Sequence, residues 1–190
     1  MIGTLAFRLS ELSHLTQLTL TQVTALTPAV NPVLTLGEWH SGIFDRGKAE
    51  CVPYEADHKH YPNPCSTSSW HVAGDASELD PSPVQVAAAQ QGSELLVIVT
   101  GGHDRQPLSS QLARTMGTNV QLAQLRADEM YRAFKGELER QLQALPRERW
   151  PQLRPILTTR AAHDVTAAQE ADRTGTLTLI RLGPPQERSK

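Results

Sequence analysis

The sequence lacks long apolar runs and carries no excess of positive charge. Its longest apolar run, Leu95 to Thr100, is far shorter than the roughly 20 residues of a membrane-spanning helix, so we expect no transmembrane segment. With 18 basic and 20 acidic side chains, the net charge of −2 argues against nucleic-acid binding driven by bulk positive charge. The first residues lack the basic and apolar segments of a secretory signal, so no export route is visible.

Sequence motifs of common enzyme classes are also missing. There is no Gly-x-Ser-x-Gly nucleophile turn, no Gly-x-x-x-x-Gly-Lys-Ser/Thr phosphate loop and no His-Glu-x-x-His metal helix. We therefore expect a protein that binds a ligand or partner without catalysis and without a cofactor.

Cysteine is scarce, and the two that occur lie 14 positions apart in a polar stretch. Cys51 and Cys65 are either two thiols or a disulfide, which would stabilise the fold by about 3 kcal/mol and indicate an oxidising compartment such as a periplasm. A zinc site is an alternative, because the cysteines lie near three histidines: His58, His60 and His71. The standard Cys-x-x-Cys and His-x-x-x-His spacings are absent, which favours the disulfide, and we predict no metal.

Hydrophobic patterning is clearest in the second half of the chain. The continuous apolar run from Glu94 to Thr100 predicts a buried strand, which the glycine pair at 101–102 should end. A long helix should follow Thr118, whose hydroxyl fits a capping box with Gln121. Its apolar stripe repeats at helical spacing as far as about Leu145 and should pack on the sheet.

The remaining segments complete an α+β pattern. Residues 1–30 predict an N-terminal extension with a short helix and a Thr-rich strand, and residues 186–190 form a charged tail. Between them, residues 31–185 predict the order strand, helix, strand, helix, strand, strand, interrupted by a polar, cysteine-containing insert at 45–83. This order describes an α+β or α/β sandwich with helices packed on one face of the sheet.

Motifs in the second half resemble the OmpA-like peptidoglycan-binding domain, which also occurs in Pal lipoproteins and MotB stators. The predicted strand ends in Gly-Gly-His-Asp at 101–104, where the family has Gly-His-Thr-Asp. The helix opens with Asn119, Leu122, Arg126 and Ala127 at the spacing of the family's Asn-x-x-Leu-Ser-x-x-Arg-Ala. Residues 43–49, which contain Phe-Asp and a later Ala, resemble the family segment after its first strand, and 171–173 resemble part of its Ala-x-Asn-Arg-Arg ending.

This resemblance implies a divergent member with an α+β fold, a βαβαββ sandwich in which helices pack on one face of a mixed sheet, and a defined ligand. The family's Asp and helix Arg bind the diaminopimelate of the peptidoglycan stem peptide, so Asp104 would accept from its ammonium and Arg126 would bind its carboxylate. Asn119 would order the loop and Leu122 would line the pocket floor. The implied role is a periplasmic or cell-envelope module that anchors an assembly, or the outer membrane, to the wall.

An alternative is a degenerate OmpA-like domain that serves as a protein–protein interaction component of an envelope or secretion complex. The loop from Arg105 to Thr118 is longer than in the family and could fill the pocket. The N-terminal extension and the cysteine-containing insert would then form the partner surface.

Overall fold

The structure is a computed structural model that describes residues 33–56, 58–72, 80–161 and 170–183. The helix and strand predicted within residues 1–30, and the charged tail at 186–190, lie outside the described residues.

A mixed five-stranded sheet forms the centre of the described part of the chain. Its strands lie in the order β4-β1-β7-β5-β6, with β5 and β6 parallel and the other neighbouring pairs antiparallel. A separate hairpin joins β2 to β3. The strands are β1 Val33–His40, β2 Tyr54–Ala56, β3 Lys59–Tyr61, β4 His71–Val72, β5 Glu94–Gly102, β6 Gln152–Arg160 and β7 Gly175–Leu182.

Within the described residues, three α-helices accompany the sheet: α1 Pro83–Ala88, α2 Ser110–Met116 and α3 Asn119–Leu142. The predicted capping box of α3 is confirmed, since the Thr118 hydroxyl accepts from the Gln121 amide and the Gln121 side chain accepts from the Thr118 amide. The helix ends at Leu142, one turn before the predicted Leu145. Within the described ranges, no helix is both long and apolar enough to cross a membrane.

The core lies between the sheet and helices α1 and α3. Alternate residues of β5 and β7 are fully buried there, while their neighbours along each strand remain partly exposed. The predicted stripe of α3 faces these strands, with Phe134, Leu138 and Leu142 buried in the same cluster. The coarse α+β prediction is therefore confirmed, with a mixed sheet and few helices.

The prediction that the glycine pair ends the central strand is wrong. Strand β5 continues through Gly101 and Gly102, which pair with β6, and Gly101 also pairs with β7. A Cβ atom on Gly101 would lie 1.9 Å from the carbonyl oxygen of Ala123 on α3, and one on Gly102 would lie 2.3 Å from the carbonyl oxygens of Asp172 and Thr174. Glycine here permits close backbone approach rather than a turn.

The described part of the insert at 45–83 is more ordered than its composition predicts. It contains the β2–β3 hairpin, a 3₁₀ turn at Thr67–Ser69 and strand β4, which extends the main sheet beside β1. The Cys51–Cys65 disulfide is present, with a Cα–Cα distance of 5.2 Å. The buried Trp70 indole donates a 2.7 Å hydrogen bond to the Pro64 carbonyl, which fixes the chain next to the disulfide. These contacts supply the order that the apolar pattern does not reveal.

Candidate functional site

Four segments of the chain meet at the carboxyl end of β5. They are the end of β5 itself, the turn at 45–48, the first two turns of α3 and the 3₁₀ segment Glu170–Arg173. Residues of the sequence motif lie on two of these segments, and the turn at 45–48 belongs to the weaker match at 43–49. The fold therefore brings together segments that are up to about 130 positions apart in the sequence.

Arg126 is the most buried charged residue of this region, with 1% of its surface exposed. Its guanidinium donates three hydrogen bonds to backbone carbonyl oxygens, from Nε to Lys48 (2.9 Å), from Nη1 to Gly102 (2.8 Å) and from Nη2 to Asp45 (2.9 Å). It also lies over the Phe44 ring, 5.2 Å from the ring centroid. Arg126 thus connects α3 to both the end of β5 and the turn at 45–48.

Burial of the Arg126 charge is energetically unfavourable, and nearby carboxylates reduce this free-energy cost. Burial is the main cause that lowers the pKa of Arg126 to about 10. The positive charge of Arg173 also lowers this pKa, whereas the carboxylates of Asp104 and Asp45 raise it. The side chain therefore remains cationic at neutral pH.

Asp104 lies next to this buried cationic group and is itself partly exposed. Its side chain is 14% exposed, and its Oδ2 lies 3.8 Å from Nε of Arg173, whose own side chain is 3% exposed. The carboxylate thus lies close to Arg173 and interacts with the charge of Arg126, while part of its surface is exposed to solvent.

Asn119 holds the segment that follows Asp104. Its side-chain amide donates to the carbonyl oxygens of Asp104 (3.2 Å) and Gln106 (3.1 Å). The His103 ring also contacts the Asp104 carbonyl through Nδ1 at 2.9 Å. These bonds fix the backbone on which the Asp104 carboxylate is carried.

A cleft of about 190 Å³ opens beside Asp104. One wall is formed by Arg46 and Gly47 of the turn, and the opposite wall by five residues from the segment 106–112. Leu122 of α3 also lines it, as the resemblance implies, whereas Arg126 is not among its described lining residues.

The segment 105–117 therefore borders the cleft without filling it. It contains α2, whose N-cap Ser109 accepts a hydrogen bond from the Leu112 amide. Leu112 approaches the turn, because a Cβ atom on Gly47 would lie 2.5 Å from its Cδ1 atom. The long loop of the sequence is thus a wall of the cleft.

Sequence reasoning missed two charged residues of the site, Arg46 and Arg173. Both lie inside segments that the resemblance includes, at 43–49 and 171–173, but neither stands out by spacing or composition. Their role becomes visible through contacts across the chain, since Arg46 lines the cleft and Arg173 lies against Asp104.

The alternative zinc site has no support among the described residues. Cys51 and Cys65 bond to each other, so their sulfurs are not thiolate ligands. Within the described ranges, which include all three histidines of the proposed set, no group of three or more His, Cys, Asp or Glu side chains could hold a metal ion.

The chain matches no protein-family model, no curated protein and no solved structure at a significant level.

Proposed function

We propose that this chain is a non-catalytic module that binds peptidoglycan through the diaminopimelate of the stem peptide. The observation that carries the proposal is the position of Asp104, which lines an open cleft at the end of β5. The resemblance of residues 101–104 and 119–127 to the OmpA-like domain assigns an ammonium-binding role to that position. The order β1, α1, β5, α3, β6, β7, into which β2, β3, β4 and α2 are inserted, is compatible with the βαβαββ order that the resemblance implies and supports the proposal to that extent.

The chemistry of the cleft suits this ligand. The free end of diaminopimelate carries an ammonium and a carboxylate on an aliphatic chain, so its receptor needs an anion, a cation and an apolar wall. Asp104 supplies the anion, and Leu112 and Leu122 supply apolar surface. The buried positive charge of Arg126 lies below the cleft, and its direct contact with the ligand remains a prediction.

The disulfide supports a place in the cell envelope. Disulfides form and persist in oxidising compartments such as the bacterial periplasm, where peptidoglycan is also found. A module of this kind would anchor a larger assembly, or the outer membrane, to the wall.

Co-sedimentation with purified diaminopimelate-type peptidoglycan tests the proposal. We expect the wild-type protein to sediment with the wall and Asp104→Asn to lose binding by about tenfold or more, because a hydrogen bond to a charged group contributes about 1.5–3 kcal/mol. Asp128→Asn is the matched control, since Asp128 forms a surface ion pair with Arg132 on α3 and its loss changes the net charge equally. Circular dichroism spectra of both variants check that the fold is retained.

A second candidate function follows from the wall formed by residues 106–112. Because this segment narrows the cleft, the domain could instead serve as a protein–protein interaction component of an envelope complex. Wild-type protein that stays in the supernatant would overturn peptidoglycan binding and favour this alternative. Equal loss of binding in Asp104→Asn and Asp128→Asn would show that the attraction is one of general charge.

A further inference from the structure

The charges that line the cleft differ from those that the sequence motif predicts. Of the described residues that line it, Asp104 and Arg46 are charged, and their signs are opposite. The helix arginine of the motif, Arg126, uses Nε, Nη1 and Nη2 for backbone carbonyls and is 1% exposed. The cation that borders the open space is therefore Arg46.

The turn that carries Arg46 is held in place from several directions. The Lys48 amide donates to the Asp45 carbonyl at 3.2 Å, which closes a four-residue turn, and the Arg46 amide donates to Asp45 Oδ1 at 2.7 Å. Gly47 has a φ of 65°, which its position in this turn requires and which glycine adopts without strain. Arg126 binds the carbonyl oxygens of both Asp45 and Lys48, the first and last residues of the turn. The buried arginine thus positions the exposed one.

The neighbouring cation of the same turn is engaged elsewhere. The Lys48 ammonium lies 3.0 Å from Asp45 Oδ2 in an ion pair, and this contact raises the pKa of Lys48. Arg46, in contrast, is exposed and lines the cleft, and its guanidinium has the planar pair of donors that matches a carboxylate.

We propose that Arg46 is the specificity-determining residue that binds the ligand carboxylate, so that the cleft selects a zwitterionic amino-acid head group over a simple amine. This inference rests on the proposed function and adds to it the recognition of diaminopimelate over lysine. Lysine at the same place in a stem peptide offers the ammonium for Asp104 but has no carboxylate for Arg46.

Calorimetry tests this role by measuring the binding of two soluble stem peptides. One peptide carries meso-diaminopimelate at the third position and the other carries L-lysine there. We expect the wild-type protein to bind the diaminopimelate peptide about tenfold more tightly, because the lysine peptide lacks one charged hydrogen-bonding contact. Arg46→Gln should bind both peptides with the affinity that the wild-type protein has for the lysine peptide. Asp104→Asn should weaken both, because both carry the ammonium.

Arg114→Gln is the matched control for Arg46→Gln. Arg114 is an exposed arginine on α2, and its replacement changes the net charge by the same amount without altering a residue that lines the cleft. It should keep the full preference for diaminopimelate.

The outcomes separate the two proposals. If wild-type protein prefers diaminopimelate and Arg46→Gln keeps that preference, Arg46 is not the carboxylate receptor, although the proposed function stands. If wild-type protein binds both peptides equally, selection by the carboxylate is refuted while binding through Asp104 survives. If neither peptide binds, peptidoglycan recognition and the role of Arg46 fail together.

Discussion

Replacement of Arg126 by methionine should destabilise the fold by about 3 kcal/mol. The change removes three hydrogen bonds from a charged donor to the carbonyl oxygens of Lys48, Gly102 and Asp45. Such bonds contribute roughly 2 kcal/mol each, or about 6 kcal/mol together. Methionine retains part of the side-chain volume, so the cavity that forms is small.

Part of this loss is recovered because the buried charge disappears with the side chain. Burial lowers the pKa of Arg126 to about 10, and this lowering corresponds to about 3 kcal/mol of unfavourable free energy. The difference between the two contributions leaves a net destabilisation of about 3 kcal/mol.

Urea denaturation followed by tryptophan fluorescence measures this difference, with the free energy of unfolding extrapolated to water. Arg132→Met is the matched control, because Arg132 lies on the same helix but its side chain is 66% exposed and pairs with Asp128 and Glu129 at the surface. We expect this control to change stability by less than about 1 kcal/mol. Equal destabilisation by the two substitutions would refute the role of Arg126 in connecting α3 to the turn and β5.

The remaining predictions concern the disulfide, a glycine contact and a histidine. Reduction of the Cys51–Cys65 bond should lower the free energy of unfolding by about 3 kcal/mol and the melting temperature by roughly 10 °C. Calorimetry with and without reductant measures this change, and an unchanged transition would contradict it. Gly101→Ala should destabilise the fold by about 3 kcal/mol, because the added Cβ would overlap a backbone oxygen of α3. Gly136→Ala is the control: its Cβ would enter open space, so the substitution should stabilise the fold by up to about 1 kcal/mol. Equal effects of the two substitutions in urea denaturation would refute the close approach at Gly101. Burial lowers the pKa of His40 below 6.5, so the unfolded chain takes up this proton first and stability should fall as the pH drops below about 6.5. His40→Gln should reduce this loss in denaturation curves at about pH 7 and pH 5, and an identical pH dependence would contradict it.

The sequence by itself predicts the elements whose patterns are local. The apolar run at 94–100 predicts a buried strand, because a strand that pairs with a neighbour on each edge is shielded from water and carries few polar side chains. Thr118 and Gln121 predict the start of α3, because a capping box involves residues three positions apart. The α+β class follows from the order of such elements.

Local patterns misjudge features that depend on distant neighbours. Gly101 is indistinguishable from a turn glycine until α3 is seen against it. The insert at 45–83 has no apolar periodicity, and its order comes from the disulfide, the Trp70 hydrogen bond and pairing with β1. None of these contacts leaves a periodic signal in the chain.

The candidate site divides in the same way. Motif spacing singles out Asp104, Asn119, Leu122 and Arg126, because their positions along one strand end and one helix are fixed relative to each other. It does not assign their burial, and Arg126 proves to be enclosed by carbonyl oxygens from two other segments. Burial and the identity of the cation beside the cleft are set by how those segments meet in three dimensions. The sequence thus determined the α+β class and the motif residues, whereas the tertiary structure decided which charges face the open cleft.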